Sequence, residues 1–336
     1  MQVFLFAQLL VLVFIPLLAP RAAAAPSTAA DSDVAAILHQ AATTPHSQLE
    51  AFAGLPLAAD RPSLALPVRK DGRDLGPVIP AKSVIVLDEK TGAVLFVKDG
   101  DRNHAVASLS KLLTALVVTD AAPDWQAAVT IVPEDLRGGG IEYFLVGDRV
   151  TVKDLLYTSL VASSNTATMA FARSTGLTPE AFAARMNEKA ASLGASGAHF
   201  VEPTGLNNQN QGSAKDVARI AHAAFLVPEI VRAASRDAYA LSVTTSRGQR
   251  TRTVKSTDLL LNSILNADPY RIIGGKTGTL GEETGFHVAL SVTAKEKGQT
   301  ILVVVLGSDT QAGRFQDAKQ LALWVFDAYE WPVSGQ

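Results

Sequence analysis

The chain has no cysteine among its 336 residues. This absence excludes a disulfide framework and thiolate catalysis, and it means that export to an oxidising compartment carries no thiol hazard. Its six histidines are scattered and show neither the H-x-x-x-H nor the H-E-x-x-H spacing of metal sites. They are His39, His46, His104, His199, His222 and His287. We therefore expect no metal and no cofactor.

The chain also lacks an excess of positive charge. Its 30 basic and 32 acidic residues give a net charge of −2, which leaves no basic surface for nucleic acid. The run Gly138–Gly140 is not followed by Lys and Ser or Thr, so we interpret it as a mobile loop and not as a phosphate-binding loop. Beyond the N-terminus, no apolar run is long enough to cross a membrane.

The N-terminal residues have the pattern of an export signal. Residues 3–19 are apolar except for Gln8, and Ala22–Ala24 follow as an A-x-A cleavage site. We predict a signal peptide at 1–25, a flexible Ala/Pro-rich spacer at 26–80, and a catalytic domain at 81–332 that is periplasmic or otherwise extracytoplasmic. No Lys or Arg precedes the apolar core, so an uncleaved signal that anchors the protein is the alternative.

The periodicity of apolar residues predicts two strands, then helices, then three strands and a final helix. The predicted strands are 83–88, 93–98, 270–276, 284–293 and 300–307. The predicted helices are 108–120, 152–173, 179–192, 213–226 and 314–330. Because the early strand pair needs partners in the later three strands, we expect one antiparallel sheet flanked by helices, with a helical subdomain, in the α/β (α+β) class.

Ser108 and Lys111 lie three residues apart at the start of an apolar helical run. They therefore share one helix face, and Ser108 lies at the positive end of the helix dipole. A lysine can deprotonate a serine if burial or nearby positive charge lowers its pKa towards neutrality. The alternative is a helix-capping serine followed by a lysine that extends into solvent.

Two further polar strings interrupt apolar runs. The string Ser163-Ser164-Asn165 lies within the helical run 154–172, where Ser and Asn are mediocre helix formers. It indicates either a helix end or kink, or a functional cluster. The string Lys276-Thr277-Gly278 lies in a glycine-rich strand whose edge could pair with an extended peptide, or else forms a β-bulge with a surface lysine.

The three strings in this order resemble the S-x-x-K, S-x-N and K-T-G signature of penicillin-recognising serine acyl-enzymes. From about Ser83 to Trp331 the chain resembles the low-molecular-weight penicillin-binding proteins, the serine D-Ala-D-Ala carboxypeptidase/endopeptidase family. Collinear matches at 86–95, 200–206 and 213–216 extend the likeness beyond the three strings.

The resemblance implies a β-lactamase/transpeptidase-like fold and a serine peptidase that forms an acyl-enzyme on Ser108. Peptidoglycan stem peptides would be its substrates and β-lactam antibiotics its covalent inhibitors. The implied catalytic residues are Ser108, Lys111, Ser163 and Asn165. The implied substrate-binding residues are Lys276, Thr277, Gly278 and Thr279. The backbone N–H groups of Ser108 and Thr279 would form the oxyanion hole.

Several alternatives stay open. We expect a D-alanyl-D-alanine carboxypeptidase, with an endopeptidase that cuts cross-links as the main alternative. A serine β-lactamase is a weaker one, suggested by the string 202–207, and a catalytically silent cell-wall-binding module is weaker still. An arginine is expected to assist the substrate carboxylate, and Arg250 and Arg252 are among the candidates. The acidic pair Glu282 and Glu283 is expected to border the site.

Overall fold

The structure is a computed structural model that describes residues 65–296 and 298–332. The predicted signal peptide and residues 26–64 of the predicted spacer lie outside this range. Within residues 65–80, which the sequence also assigns to the spacer, Val68–Arg69 pairs antiparallel with Tyr329–Glu330. This part of the segment is therefore hydrogen-bonded to residues near the end of the predicted catalytic domain. None of the helices described is long and apolar enough to cross a membrane.

The described part of the chain contains strands, α-helices and short 3₁₀ helices. The strands are β1 (Val68–Arg69), β2 (Ser83–Asp88), β3 (Val94–Lys98), β4 (His104–Ala105), β5 (Ala128–Thr130), β6 (Arg149–Thr151), β7 (Gln211–Gly212), β8 (Ala238–Thr245), β9 (Gly248–Lys255), β10 (Tyr270–Thr279), β11 (Phe286–Ala294), β12 (Gln299–Ser308) and β13 (Tyr329–Glu330). The helices are α1 (Ser110–Asp120), α2 (Val152–Val161), α3 (Asn165–Arg173), α4 (Pro179–Ser192), α5 (Ala214–Phe225), α6 (Pro228–Ala234) and α7 (Gln311–Ala328). The 3₁₀ helices are Ala107–Leu109, Pro133–Asp135, Leu259–Asn262 and Ile264–Asn266.

The central sheet has five antiparallel strands in the order β10-β11-β12-β2-β3. Side chains of a strand alternate between its two faces, and β12 shows what each face meets. Ile301, Val303 and Val305 belong to the core that also contains apolar residues of α7, whereas Leu302 and Val304 belong to the core formed with α1 and α5. Both faces are covered, which explains the uninterrupted apolar run and confirms the predicted sheet flanked by helices.

A second, four-stranded sheet was not predicted. Its order is β5-β6-β8-β9, and β8 and β9 form a hairpin. The sequence of β9, GQRTRTVK, carries polar residues on both faces, and of its eight residues only Val254 is buried. Because the strand buries so little, its apolar periodicity is too weak to identify it from the sequence.

The predicted helix 152–173 is two helices, α2 and α3. Residues 162–164 separate them, and Ser163 adopts a left-handed backbone conformation with φ of +57°. Ser164 then caps α3, since its hydroxyl accepts a hydrogen bond from the Ala167 N–H. The prediction of one continuous helix was therefore wrong, whereas the helix end that the polar string indicated is present. Ser163 lies in the turn between the helices, and Asn165 is the first residue of α3.

Candidate active site

Ser108 lies in the 3₁₀ turn Ala107–Leu109, immediately before the buried helix α1. The preceding residue, Ala107, has a φ of +51°, an uncommon conformation for an alanine. The Ser110 hydroxyl donates to the Ala107 carbonyl at 2.8 Å, which holds this turn. Ser108 itself is half-buried, so its hydroxyl lies at the surface of a rigid element.

Lys111 is fully buried, and its amine reaches three oxygen atoms. Nζ lies 2.8 Å from Ser108 Oγ, 2.8 Å from Asn165 Oδ1 and 2.6 Å from the Thr204 carbonyl oxygen. Burial lowers the pKa of Lys111 to about 7, against an opposing effect of the Glu202 carboxylate. A large fraction of the amine is therefore neutral near pH 7.

The three contacts orient the neutral amine. A neutral amine has two N–H donors and one lone pair, and Asn165 Oδ1 and the Thr204 carbonyl can only accept. Asn165 cannot reverse this role, because its Nδ2 donates to the carbonyl oxygens of Gly138 and Gly139 at 2.8 and 3.3 Å. The lone pair is thus left to face Ser108 Oγ, which is the arrangement a general base requires.

The Glu202 carboxylate organises the loop that carries the Thr204 carbonyl. It accepts hydrogen bonds from the N–H groups of Thr204 and Gly205 at 2.7 and 2.6 Å. Gly205 has a φ of +82°, and a Cβ there would lie 1.9 Å from the Ala107 carbonyl oxygen. The loop is therefore packed directly against the Ser108 turn. The sequence indicated this loop as a family match, without a contact to Lys111.

Lys276 is the second buried lysine of the site. Its Nζ donates to Ser163 Oγ at 2.8 Å and to the Thr277 carbonyl oxygen at 2.7 Å. Burial, together with the nearby cationic groups Lys111 and Arg314, holds the pKa of Lys276 well below its ordinary value. Because Lys276 bonds Ser163 while Lys111 bonds Asn165, the two lysines tie all three predicted strings together.

Strand β10 forms one edge of the central sheet and runs past the Ser108 turn. A Cβ at Gly278 would lie 3.2 Å from the Val106 carbonyl oxygen and 3.3 Å from the Ser108 N atom, so the close approach favours a glycine. Thr279, the next residue, is exposed beside this contact, whereas the Thr277 hydroxyl lies 2.6 Å from that of Thr257.

Arg314, at the start of α7, was not predicted as a site residue. Its Nη1 donates to the Gly278 carbonyl oxygen at 3.1 Å, and the residue is only 3% exposed. Burial lowers its pKa to about 10, so it keeps its charge at neutral pH. The two predicted arginines point elsewhere: Arg250 pairs with Asp148 at 2.7 Å, and Arg252 donates to the carbonyl of Glu142 at 3.0 Å.

The chain is similar to known proteins along most of its length. The family model described as D-alanyl-D-alanine carboxypeptidase matches residues 72–310. Over 268 residues the chain is 29% identical to a D-alanyl-D-alanine endopeptidase of Pseudomonas aeruginosa, covering 78% of this chain and 82% of that protein. Over 256 residues it is 28% identical to the D-alanyl-D-alanine carboxypeptidase DacF of Bacillus subtilis, covering 74% and 63%.

A solved structure is similar along most of the chain. The crystal structure of the Streptomyces K15 DD-transpeptidase aligns with a TM-score of 0.68 at 27% identity, covering 75% of this chain and 99% of that one. The predicted β-lactamase/transpeptidase-like fold is thereby confirmed.

Proposed function

The chain belongs to the D-alanyl-D-alanine carboxypeptidase family of serine peptidases, and we propose that it hydrolyses the terminal D-Ala–D-Ala bond of peptidoglycan stem peptides through an acyl-enzyme on Ser108. Members of this family generally act on peptidoglycan peptides outside the cytoplasm and bind penicillin. The observation that carries the proposal is the buried Lys111 amine, whose two fixed acceptors leave its lone pair facing Ser108 Oγ.

In the acylation step, Ser108 Oγ attacks the carbonyl carbon of the penultimate D-Ala and its proton passes to Lys111 Nζ. The negative charge on the carbonyl oxygen is stabilised by the backbone N–H groups of Ser108 and Thr279, each such donor contributing ~3 kcal/mol. The C–N bond then breaks. The proton on Lys111 passes to the leaving amine by way of the Ser163 hydroxyl, which Lys276 holds, and Lys111 returns to its neutral form.

In the deacylation step, a water molecule attacks the ester carbon, and Lys111 again accepts the proton. The ester C–O bond breaks and Ser108 Oγ recovers a proton from Lys111. The products are the shortened stem peptide and free D-Ala. The base, the nucleophile and the anion-stabilising donors of both steps are residues of this chain.

The cationic side of the site suits the free carboxylate of the terminal D-Ala. Lys276 is a buried residue of β10, Arg314 is buried against the Gly278 carbonyl of that strand, and Thr277 provides a hydroxyl on the same strand. A carboxylate bound there would gain charge-assisted hydrogen bonds in a site with little water. We therefore assign the substrate carboxylate to Arg314, Thr277 and Lys276, and not to Arg250 or Arg252.

A cross-link endopeptidase is the second candidate. Its support is that relatives of both names match at similar identity, 29% for the Pseudomonas endopeptidase and 28% for DacF. The Glu202 carboxylate accepts hydrogen bonds from two backbone N–H groups of its own loop. Because its oxygens are occupied in this way, we do not assign Glu202 the water-activating role of a β-lactamase glutamate.

Two measurements test the proposal. Fluorescent penicillin should label the wild-type protein and the control variant Ser246→Ala, which changes an exposed serine, but not Ser108→Ala. Labelling that persists in Ser108→Ala would refute the nucleophile. Mass spectrometry of purified muropeptides would then decide the reaction. Loss of one Ala from a pentapeptide identifies a carboxypeptidase, and conversion of cross-linked dimers to monomers identifies an endopeptidase.

A further inference from the structure

A cavity of about 460 Å³ opens beside the C-terminal end of β10. Its walls come from two segments, the loop that follows Gly205 and the turn between β10 and β11. The lining residues are Leu206, Asn207, Asn208, Leu280, Glu283 and Thr284. Its volume is in the range of small-ligand sites, about 300–1,000 Å³. None of these residues belongs to the predicted catalytic strings.

The direction in which the substrate would lie along β10 indicates which part of the peptide is next to this cavity. If the terminal carboxylate lies at Thr277 and Arg314 and the scissile carbonyl at the N–H of Thr279, the peptide runs antiparallel to β10. Its residues on the N-terminal side of the scissile bond must then continue past Thr279 towards Leu280. The free edge of β10 allows this extended pairing. The cavity therefore lies next to the residue that precedes D-Ala-D-Ala.

The lining has a clear chemical character. Leu206 and Leu280 provide apolar walls, Asn207 and Asn208 provide amides, and Glu283 provides the one carboxylate among the lining residues. Within the described residues, the Glu283 carboxylate has no hydrogen-bond or ion-pair partner. Apolar walls with a free carboxylate at the rim suit an aliphatic chain that ends in an ammonium group.

We infer that this cavity is a subsite for the side chain of a diamino acid on the N-terminal side of D-Ala-D-Ala, with Glu283 pairing with its free amine. The inference rests on the proposed function. It also separates two neighbouring acidic residues, because Glu283 lines the cavity and Glu282, one residue earlier, does not. The pair therefore offers a matched control.

The test compares two peptides, N-acetyl-L-Ala-D-Glu-L-Lys-D-Ala-D-Ala and the same peptide with its lysine Nε acetylated. Release of D-Ala gives kcat and KM for each. We expect the wild-type protein to prefer the free amine by about two- to five-fold in kcat/KM, mainly through KM, as is usual for an exposed ion pair. The preference should decrease in high salt.

The variants make the inference specific. Glu283→Gln should remove the preference, whereas Glu282→Gln should keep it. Glu283→Lys should invert it and favour a peptide with glutamate in place of lysine. If the wild-type protein hydrolyses both peptides equally, or if Glu283→Gln keeps the preference, the subsite is refuted while the proposed function stands. If neither peptide releases D-Ala, the proposed function fails and the subsite with it.

Discussion

Asn165 holds Lys111 with one end of its side-chain amide and two backbone carbonyls with the other. Its Oδ1 lies 2.8 Å from Lys111 Nζ, and its Nδ2 donates to Gly138 and Gly139. The amide can therefore offer Lys111 only an acceptor, which favours an amine whose lone pair is directed to Ser108. The pH dependence of the reaction should report on this amine.

We expect the rate of acylation to rise with pH and to level off above about pH 7. Burial holds the pKa of Lys111 near 7, and only the neutral amine can accept the Ser108 proton. Below that pH the rate should fall about ten-fold per pH unit, in proportion to the neutral fraction of the amine. Stopped-flow acylation with a chromogenic β-lactam between about pH 5.5 and 9 measures the profile. A flat profile would contradict the role of Lys111.

The variant Glu202→Gln should move the midpoint of that profile to lower pH. The Glu202 carboxylate raises the pKa of Lys111, so its removal leaves burial less opposed. The plateau rate should also fall, because the neutral amide that replaces the carboxylate would accept fewer hydrogen bonds from the loop that carries the Thr204 carbonyl. Glu180→Gln, on the exposed start of α4, is the control and should leave the midpoint unchanged. An upward shift in Glu202→Gln would disprove this account.

Arg314→Gln should weaken recognition of peptides that end in a free carboxylate. A lost hydrogen bond to a charged group corresponds to about a 10- to 100-fold decrease in kcat/KM. Peptides with an amidated C-terminus should be affected much less. The matched variant Arg250→Gln removes an arginine that pairs with Asp148, and it should not distinguish the two peptides. Equal losses on both peptides in Arg314→Gln would show a structural role alone.

Gly205→Ala should destabilise the fold severely. Its φ of +82° disfavours a side chain, and the new Cβ would lie 1.9 Å from the Ala107 carbonyl oxygen. We expect a loss of about 3 kcal/mol or more in the free energy of unfolding. Gly72→Ala is the control, since no atom lies within 4 Å of its added Cβ. Thermal unfolding followed by circular dichroism compares the two, and similar Tm values would contradict the packing described.

The central sheet and the three polar strings could be predicted from the sequence because each has a strong local signal. Strands such as β12 are buried on both faces and have continuous apolar runs. Ser108 and Lys111 are three residues apart, so helical geometry alone places them together. The contacts between the three strings could be predicted only from the family resemblance, because no local sequence pattern indicates that Lys276 contacts Ser163.

Other parts of the site have no comparable local signal. Arg314 follows Gly278 by 36 residues, and only the packing of α7 against the sheet brings them together. The contact between Lys111 and Thr204 uses a backbone carbonyl, which every residue has. The second sheet was missed because β9 is exposed along most of its length. In each case tertiary packing determines the position of the residue or strand, and the residue type alone does not indicate that position.

The antiparallel pairing of β1 with β13 brings the two ends of the described part of the chain to the same place. Val68 lies opposite Glu330, and Arg69 lies opposite Tyr329. A short linker could therefore join these ends, and new termini could be opened at the exposed residues 246–247 between β8 and β9. In such a circular permutant β10 would precede the Ser108 turn along the chain. The contact between them depends on tertiary packing and not on chain order, so the rearranged protein should still assemble the same site.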